Sequence, residues 1–187
     1  MLPSRNIFLV GMMGAGKSTV GKLLARHLGK TFLDTDHEIR RRTGVEIPVI
    51  FEIEGEEGFR AREAAVLREL TQREDVVLAT GGGAVLRPEN RALLKARGAV
   101  IYLRGSVEEL WARTRHDRNR PLLQTADPKA RLDELLRERD PLYLEVADLV
   151  VDTGRAGALA LVRRIEKRLQ EAERTQAKDA FELDTDA

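Results

Sequence analysis

Five short stretches of the chain are apolar at consecutive positions rather than at alternate ones: Ile7–Val10, Thr31–Leu33, Val76–Ala79, Ala99–Leu103 and Asp148–Val151. A strand with one face in water alternates apolar and polar residues, whereas a strand covered on both faces has no need to. Each run leads into a segment with helical spacing, as in Val20, Leu23, Leu24 and Leu28 or Leu159, Val162, Ile165 and Leu169. That spacing marks a helix with one buried stripe. Strands that alternate with helices in this way predict an α/β fold, a single domain with a five-stranded parallel sheet flanked by helices. Ligands of such sheets bind beyond the carboxyl ends of the strands. Gly11, Asp34, Gly81 and the segment after Leu103 are therefore expected to be neighbours.

The second and third strands are separated by an insertion, about 35–62, placed to form a lobe at the mouth of the sheet. Within and after it, Asp36–Thr43 reads as a short helix stopped by Gly44, Ile47–Glu54 as another ended by Gly55, and Phe59–Thr71 as a longer one. Pro48 falls in a first helical turn, where proline is tolerated. Pro88–Arg97 is a helix with proline at its start and Gly98 after its end. Val107–Arg115 runs into His116-Asp117-Arg118-Asn119-Arg120-Pro121-Leu122, an arginine-dense piece expected to be an exposed, mobile loop. Together with its approach, about 113–125, it is placed to close over a ligand as a lid. Pro128–Leu144 reads as a charged helix interrupted by Pro141. The apolar stripe ends at Leu169, so residues 1–170 are expected to be the domain and 171–187 a polar, flexible tail.

Composition narrows the field. A chain of 187 residues, 42% apolar, suits one globular domain. A net charge of +1 gives no general attraction to nucleic acid or to an anionic membrane, and no apolar run is long enough to cross a bilayer. Only six residues precede the first predicted strand, so no signal peptide is expected. The absence of cysteine removes disulfides and thiol catalysis, and a reducing cytoplasm is the simplest location.

The candidate chemistry begins at Gly11-Met12-Met13-Gly14-Ala15-Gly16-Lys17-Ser18-Thr19, which fits the P-loop pattern G-x-x-x-x-G-K-[ST] between a predicted strand and a predicted helix. Glycines let successive N–H groups converge on phosphate oxygens, and the helix start adds the positive end of its dipole. Lys17 is placed to reach the β- and γ-phosphates of a nucleoside triphosphate, and the Ser18 hydroxyl to ligate Mg²⁺. Asp34 and Asp36 stand two apart at a strand end, so both are expected on one side, toward the phosphates. The alternative reading of Asp36, which the position beside the P-loop disfavours, is a helix N-cap. Thr80-Gly81-Gly82-Gly83 occupies the place where a P-loop enzyme commonly carries an aspartate; by itself it is a flexible turn. Arg60 and Glu63 share a helix face at i, i+3, which by default is a minor surface ion pair. Arg139 by spacing alone is a solvated helix residue.

These segments in combination resemble one family. GMMGAGKST, Leu33-Asp34-Thr35-Asp36, Glu54-Gly55-Glu56-Glu57-Gly58-Phe59-Arg60, Thr80-Gly81-Gly82-Gly83-Ala84-Val85, Arg120-Pro121-Leu122 and Arg139-Asp140-Pro141-Leu142-Tyr143 are similar, in order and spacing, to the motifs of the shikimate kinases. The resemblance spans about Asn6 to Leu169. It implies a P-loop fold like that of the nucleoside monophosphate kinases, with a lid. It also implies transfer of phosphate from ATP to the 3-hydroxyl of shikimate, a step of chorismate and aromatic amino acid biosynthesis.

By the same resemblance Gly14, Ala15, Gly16, Lys17, Ser18 and Thr19 bind nucleotide, with Arg113 flanking adenine and Arg155 nearby. Ser18 and Asp34 serve a single Mg²⁺ ion. Asp36 meets the acceptor hydroxyls and takes the proton, and Lys17 and Arg120 meet the transferring phosphate. Arg60 and Arg139 grip the shikimate carboxylate, Glu63 positions Arg60, Gly81, Gly82 and Gly83 offer backbone donors, and Phe51 and Phe59 wall the acceptor pocket. A monomer acting on ATP and shikimate, with no nucleic-acid or membrane partner, is the implied state. Two other readings share the P-loop. One is a kinase for gluconate or a nucleoside monophosphate, which needs a different acceptor pocket. The other is a nucleotide-dependent switch, which needs no acceptor lobe.

Overall fold

A computed structural model of the chain describes residues 5–117, 119–154 and 156–185, the side chains of 173 and 176–185 aside. Its strands are β1 (Asn6–Val10), β2 (Thr31–Asp34), β3 (Val76–Ala79), β4 (Gly98–Arg104) and β5 (Leu149–Asp152). Each lies within one residue of its apolar run. They form one parallel sheet in the order β2-β3-β1-β4-β5. Ile7, Phe8, Leu9 and Val10 of the central strand are all fully buried, and so are Val77 and Leu78 of β3 and Val100 to Leu103 of β4. Because successive side chains point to opposite faces, both faces of these strands are covered. The five-stranded parallel sheet expected from the apolar runs is present.

The helices are α1 (Lys17–Leu28), α2 (Thr35–Thr43), α3 (Ile47–Leu70), α4 (Pro88–Arg97), α5 (Val107–Thr114), α6 (Pro128–Val146) and α7 (Ala158–Thr185). α1 lies on β1, β2 and β3 and against α7, while α4 and α6 lie on β4. The central position of β1 sets the site. Its carboxyl end delivers Gly11 to the middle of the sheet, between the ends of β3 and β4.

Four segments differ from the sequence expectation. First, the break expected at Gly55 is present (φ 70, ψ −179), but helical backbone resumes at Glu56 rather than at Phe59, so that α3 consists of two helical stretches joined by a kink. Glycine reaches that left-handed backbone without steric cost, and Arg62 bridges the break by bonding both carboxylate oxygens of Glu54 (2.8 and 2.6 Å). Second, α6 runs through Pro141. An interior proline costs roughly 3 kcal/mol, and burial of Leu132, Leu135, Arg139, Tyr143 and Val146 on both sides of it offsets that. Third, the arginine-dense loop is not wholly exposed. Pro121–Leu123 forms a 3₁₀ turn against α3 and α6 with Leu123 buried, because the two leucines after Pro121 supply apolar surface that the charged residues before them conceal. Fourth, the backbone of α7 stays helical as far as Thr185, well past Leu169, the last buried residue among those whose side chains are described. The sequence there is dominated by Ala, Glu, Lys, Arg and Gln, which favour helix without needing a buried face.

Candidate active site

The loop between β1 and α1 turns on Gly14 and Gly16, both with positive φ (79° and 90°). Gly16 caps α1, whose first turn carries no acidic residue, so the positive end of the helix dipole opens onto the loop uncompensated. The Lys17 ammonium donates to the carbonyls of Gly11 (2.7 Å) and Met12 (2.8 Å). Burial pulls its pKa down to about 8; Asp36 opposes this and the cationic Arg120 adds to it. Arg113 stands beside the loop, donating to the carbonyls of Gly14 (3.1 Å) and Gly154 (3.0 Å). Gly14, Gly16, Lys17, Ser18, Thr19, Asp34, Asp36, Arg113 and Arg120 line a cleft of about 480 Å³. The Ala15 side chain is buried beneath the loop. Arg155 lies outside the described residues.

Asp34, Thr35 and Asp36, where β2 passes into α2, have different surroundings. Asp34 is the N-cap of α2: its Oδ1 accepts the N–H groups of Asp36 (3.0 Å) and His37 (3.1 Å). Its Oδ2 accepts the Ser18 hydroxyl at 2.6 Å. Thr35 Oγ1 accepts the N–H of Gly81 at 2.8 Å. Asp36 sits in the first turn of α2, not at its cap, so the cap expected at Asp36 falls on Asp34. The argument from an extended strand fails too, since the chain is already helical at Thr35; Asp36 reaches the cleft from the helix. Burial raises the pKa of Asp36, and the nearby negative charge of Asp34 raises it further, against the pull of Lys17, Arg120 and Arg60.

Asp36 is shared with a second, smaller pocket of about 70 Å³, lined also by Phe51, Phe59, Arg60, Glu63, Gly81, Gly82, Gly83, Arg120 and Arg139. The two arginines that spacing left on the surface are buried, Arg60 at 6% and Arg139 at 2% exposure. Arg60 Nη1 bonds Glu63 Oε2 at 2.8 Å, while Nε and Nη2 bond Glu56 Oε1 at 3.2 and 2.9 Å. With Glu63 fully buried, this is an interior ion pair rather than the minor surface pair of the default reading. Burial raises the pKa of Glu63 against the opposing charge of Arg60. Phe51 and Phe59 pack with ring centroids 4.9 Å apart, and the Arg60 guanidinium lies 5.2 Å from the Phe59 ring.

The glycine triplet fits between these groups because it has no side chains. A Cβ on Gly81 would stand 2.1 Å from Glu63 Oε1 and 3.0 Å from Asp36 Oδ1. One on Gly83 would stand 2.2 Å from the Arg60 guanidinium. Among the described residues, the buried side-chain polar atoms without a partner are Asp36 Oδ1, Glu63 Oε1 and Arg139 Nε. All three belong to residues lining this pocket. Uncompensated polar atoms are expensive to bury, and their concentration here marks the pocket as built for a polar guest carrying both hydroxyl donors and an anionic acceptor.

Sequence reasoning overlooked four residues of this site: Glu56, the second carboxylate on Arg60; Thr35, which anchors Gly81; Asp117, whose Oδ2 holds Arg120 Nε at 2.9 Å; and Tyr143, whose hydroxyl donates to the carbonyl of Gly82. The i, i+4 spacing of Glu56 to Arg60 and of Arg139 to Tyr143 was the available signal.

The oxygens of Ser18 and Asp34 suit Mg²⁺, a hard cation that retains several waters and takes few protein ligands. No cluster of three or more His, Cys, Asp or Glu side chains able to hold a metal by itself occurs among the described residues.

The P-loop on a five-stranded parallel sheet, with a second polar pocket opening on its cleft, makes the molecule a P-loop kinase of the nucleoside monophosphate kinase-like kind. Deoxyadenosine kinase from M. mycoides shares that fold at a TM-score of 0.58 and 16% identity, covering 88% of this chain and 99% of that one. Residues 13–170 match the sequence model of the family described as shikimate kinase. The chain belongs to the shikimate kinase family. Shikimate kinase of Cupriavidus pinatubonensis is 59% identical over 97% of this chain and 91% of that protein. The enzyme of Bordetella pertussis is 63% identical over 90% and 80%. The structure of shikimate kinase from Acinetobacter baumannii in complex with shikimate matches with a TM-score of 0.90 and 53% identity, covering 91% of this chain and 96% of that one.

Proposed function

We propose that this chain transfers the γ-phosphoryl group of ATP to the 3-hydroxyl of shikimate, giving ADP and shikimate 3-phosphate. The observation that carries the reading is the paired burial of Arg60 and Arg139 on two helices, beside the buried Asp36, in a pocket that opens onto the P-loop. A planar carboxylate matches guanidinium forks, and ring hydroxyls match the carboxylate oxygens that lack donors.

The roles follow from position. The N–H groups of Gly14 to Thr19 and the start of α1 bind the phosphates, and Arg113 serves the adenine end; a like role for Arg155, which lies outside the described residues, rests on the family resemblance alone. Ser18 and Asp34 would hold Mg²⁺, which supplies charge neutralisation on the phosphates. Arg60 and Arg139 hold the acceptor carboxylate, Glu63 and Glu56 hold Arg60, and Phe51 and Phe59 exclude water from one side of the ring. Asp36 accepts the hydrogen bond of the 3-hydroxyl and so aims its oxygen at the γ-phosphorus. As the new P–O bond forms, the bond to the β-phosphate oxygen breaks and the hydroxyl proton passes to Asp36. Lys17 and Arg120 stabilise charge on the transferring group, which is the main task in a loose transition state. Residues 113–125 act as the lid, 35–62 as the acceptor lobe, and 171–187 lie outside the catalytic domain. A monomer is part of the same reading. Among the described residues no helix is long and apolar enough to cross a membrane; a cytoplasmic location rests on the cysteine-free composition.

A coupled assay of ADP release with shikimate, gluconate and CMP as rival acceptors tests the reading. Shikimate should be strongly preferred. Faster turnover of gluconate or CMP would assign the pocket to another acceptor, and ADP release unaffected by any of them would leave only nucleotide hydrolysis.

A further inference from the structure

The backbone groups of the glycine triplet are unequally provided for. Gly81 donates to Thr35 Oγ1, and its carbonyl accepts from Ala84 N at 3.1 Å. The Gly83 carbonyl accepts from Leu86 N at 3.0 Å. The N–H groups of Gly82 and Gly83 have no partner among the described residues. Among the three carbonyls, and among the described residues, that of Gly82 is the one held by a side chain, and the side chain is that of Tyr143.

We propose that Tyr143 is a positioning residue for the acceptor: its hydroxyl fixes the Gly82–Gly83 peptide so that the pocket presents N–H groups rather than a carbonyl oxygen. The inference rests on the reading of this pocket as the site of a carboxylate-bearing acceptor. A peptide between two glycines rotates at little steric cost, and rotation by half a turn exchanges the places of the Gly82 oxygen and the Gly83 N–H. An oxygen would then stand among groups otherwise arranged for an anion, the guanidinium of Arg60 beside Gly83 and that of Arg139 beside Gly82. Nothing in the triplet's own sequence prevents this. The Tyr143 hydroxyl does, by giving the carbonyl a donor on one side only.

The tyrosine is well held for the purpose. It is fully buried, and its ring lies 4.8 Å from that of Tyr102. Tyr102 donates to Asp140 Oδ1 at 2.7 Å, and Asp140 receives two bonds from Arg104 (3.0 and 2.7 Å). Tyr143 thus stands one helical turn beyond Arg139 on α6, on a segment locked to β4. Arg139 supplies the charge and Tyr143 sets the backbone it works beside. Burial keeps the phenol's pKa far above its ordinary value, so the hydroxyl remains a donor throughout the working pH range.

The test is Tyr143→Phe in the full chain, with Tyr102→Phe as its comparison. Tyr102 loses an equally buried hydroxyl bond, but its partner Asp140 lies outside the pocket. Wild type must first turn over shikimate; if it does not, the assignment of the pocket fails and Tyr143 is not the cause. Given that turnover, Tyr143→Phe should raise the KM for shikimate about tenfold, the worth of one misplaced donor. The KM for ATP and kcat should stay near wild type, while Tyr102→Phe leaves both KM values unchanged. An unchanged shikimate KM in Tyr143→Phe overturns the proposal. So does an equal rise in both variants, or an equal rise in both KM values, since either is what general loosening of α6 produces. Should the Phe variant fail to fold, Tyr143→Met removes the same hydroxyl while filling the space and carries the same outcomes.

Discussion

Replacing Gly83 by alanine adds one carbon and two hydrogens, yet it should disable the acceptor pocket while sparing the fold. The new Cβ would stand 2.2, 2.2 and 2.4 Å from Cζ, Nη1 and Nη2 of Arg60. Ordinary carbon contacts need about 3.5 Å, so the guanidinium must retreat by roughly 1 Å or more. Being the far end of a flexible side chain it can do so, but only by loosening its bonds to Glu63 and Glu56. A displacement of that size at a substrate-orienting group costs about 100-fold in rate, or about 2.7 kcal/mol. We therefore expect Gly83→Ala to lower kcat/KM for shikimate by about two orders of magnitude, mostly through KM. Affinity for ADP should be unchanged, because Gly83 does not line the P-loop cleft. Steady-state kinetics with varied shikimate, alongside calorimetric titration of ADP, separate the two. Shikimate kinetics like those of wild type would show that the position of the Arg60 guanidinium is immaterial to acceptor binding, and the clamp would have to be abandoned.

The double use of Asp34 separates two substitutions. Asp34→Asn keeps an oxygen for the α2 cap, so it should raise the Mg²⁺ concentration needed for half-maximal rate while leaving the melting temperature alone; Asp34→Ala should add the loss of a cap, about 1 kcal/mol, and equal melts for the two would refute the split. Lys17, with a pKa near 8, is charged below that pH and neutral above it, so ADP affinity measured by calorimetry should fall as pH rises through about 8, and Lys17→Arg should flatten the fall. The decline is not unfolding: between about 8 and the ordinary 10.5 the unfolded chain binds more protons at this lysine than the folded one, so this group favours the fold increasingly as pH rises there. Arg120→Ala should depress kcat far more than ATP affinity, since the charge it meets develops during transfer; an equal loss in both would make it a plain binding residue.

The sheet and the P-loop were legible because each rests on a local signal. A doubly covered strand is apolar at every position, and the P-loop needs its glycines and lysine in a row between strand and helix. Burial of charge was not legible. Arg60 and Arg139 carry no mark in the sequence that distinguishes them from the many arginines on the surface; what buries them is Glu63, Glu56 and a glycine triplet distant along the chain. The cap was misplaced by two residues because both aspartates satisfy the pattern, and only the start of α2 at Thr35 decides between them. Leu122 and Leu123 were read with the charged loop they follow, although Leu123 is a core residue. Tyr143 was quoted within a motif without a task, since a phenol that serves a distant carbonyl is visible only when the chain is folded.

Asp34 and Thr35 fasten two separate segments with adjacent side chains, one the P-loop helix and one the glycine triplet, and the next side chain, Asp36, faces the acceptor pocket. Side chains along a stretch can be exchanged one at a time, each for another that makes the same contact. Spacing has no such freedom. One residue added or lost here would turn the following side chain by about 100° around α2 and carry all later contacts to the wrong loop. The distance between the phosphate donor and the hydroxyl that receives it is therefore written into the number of residues at this joint, and a search for tolerated change in this protein should find substitutions there but no insertion or deletion.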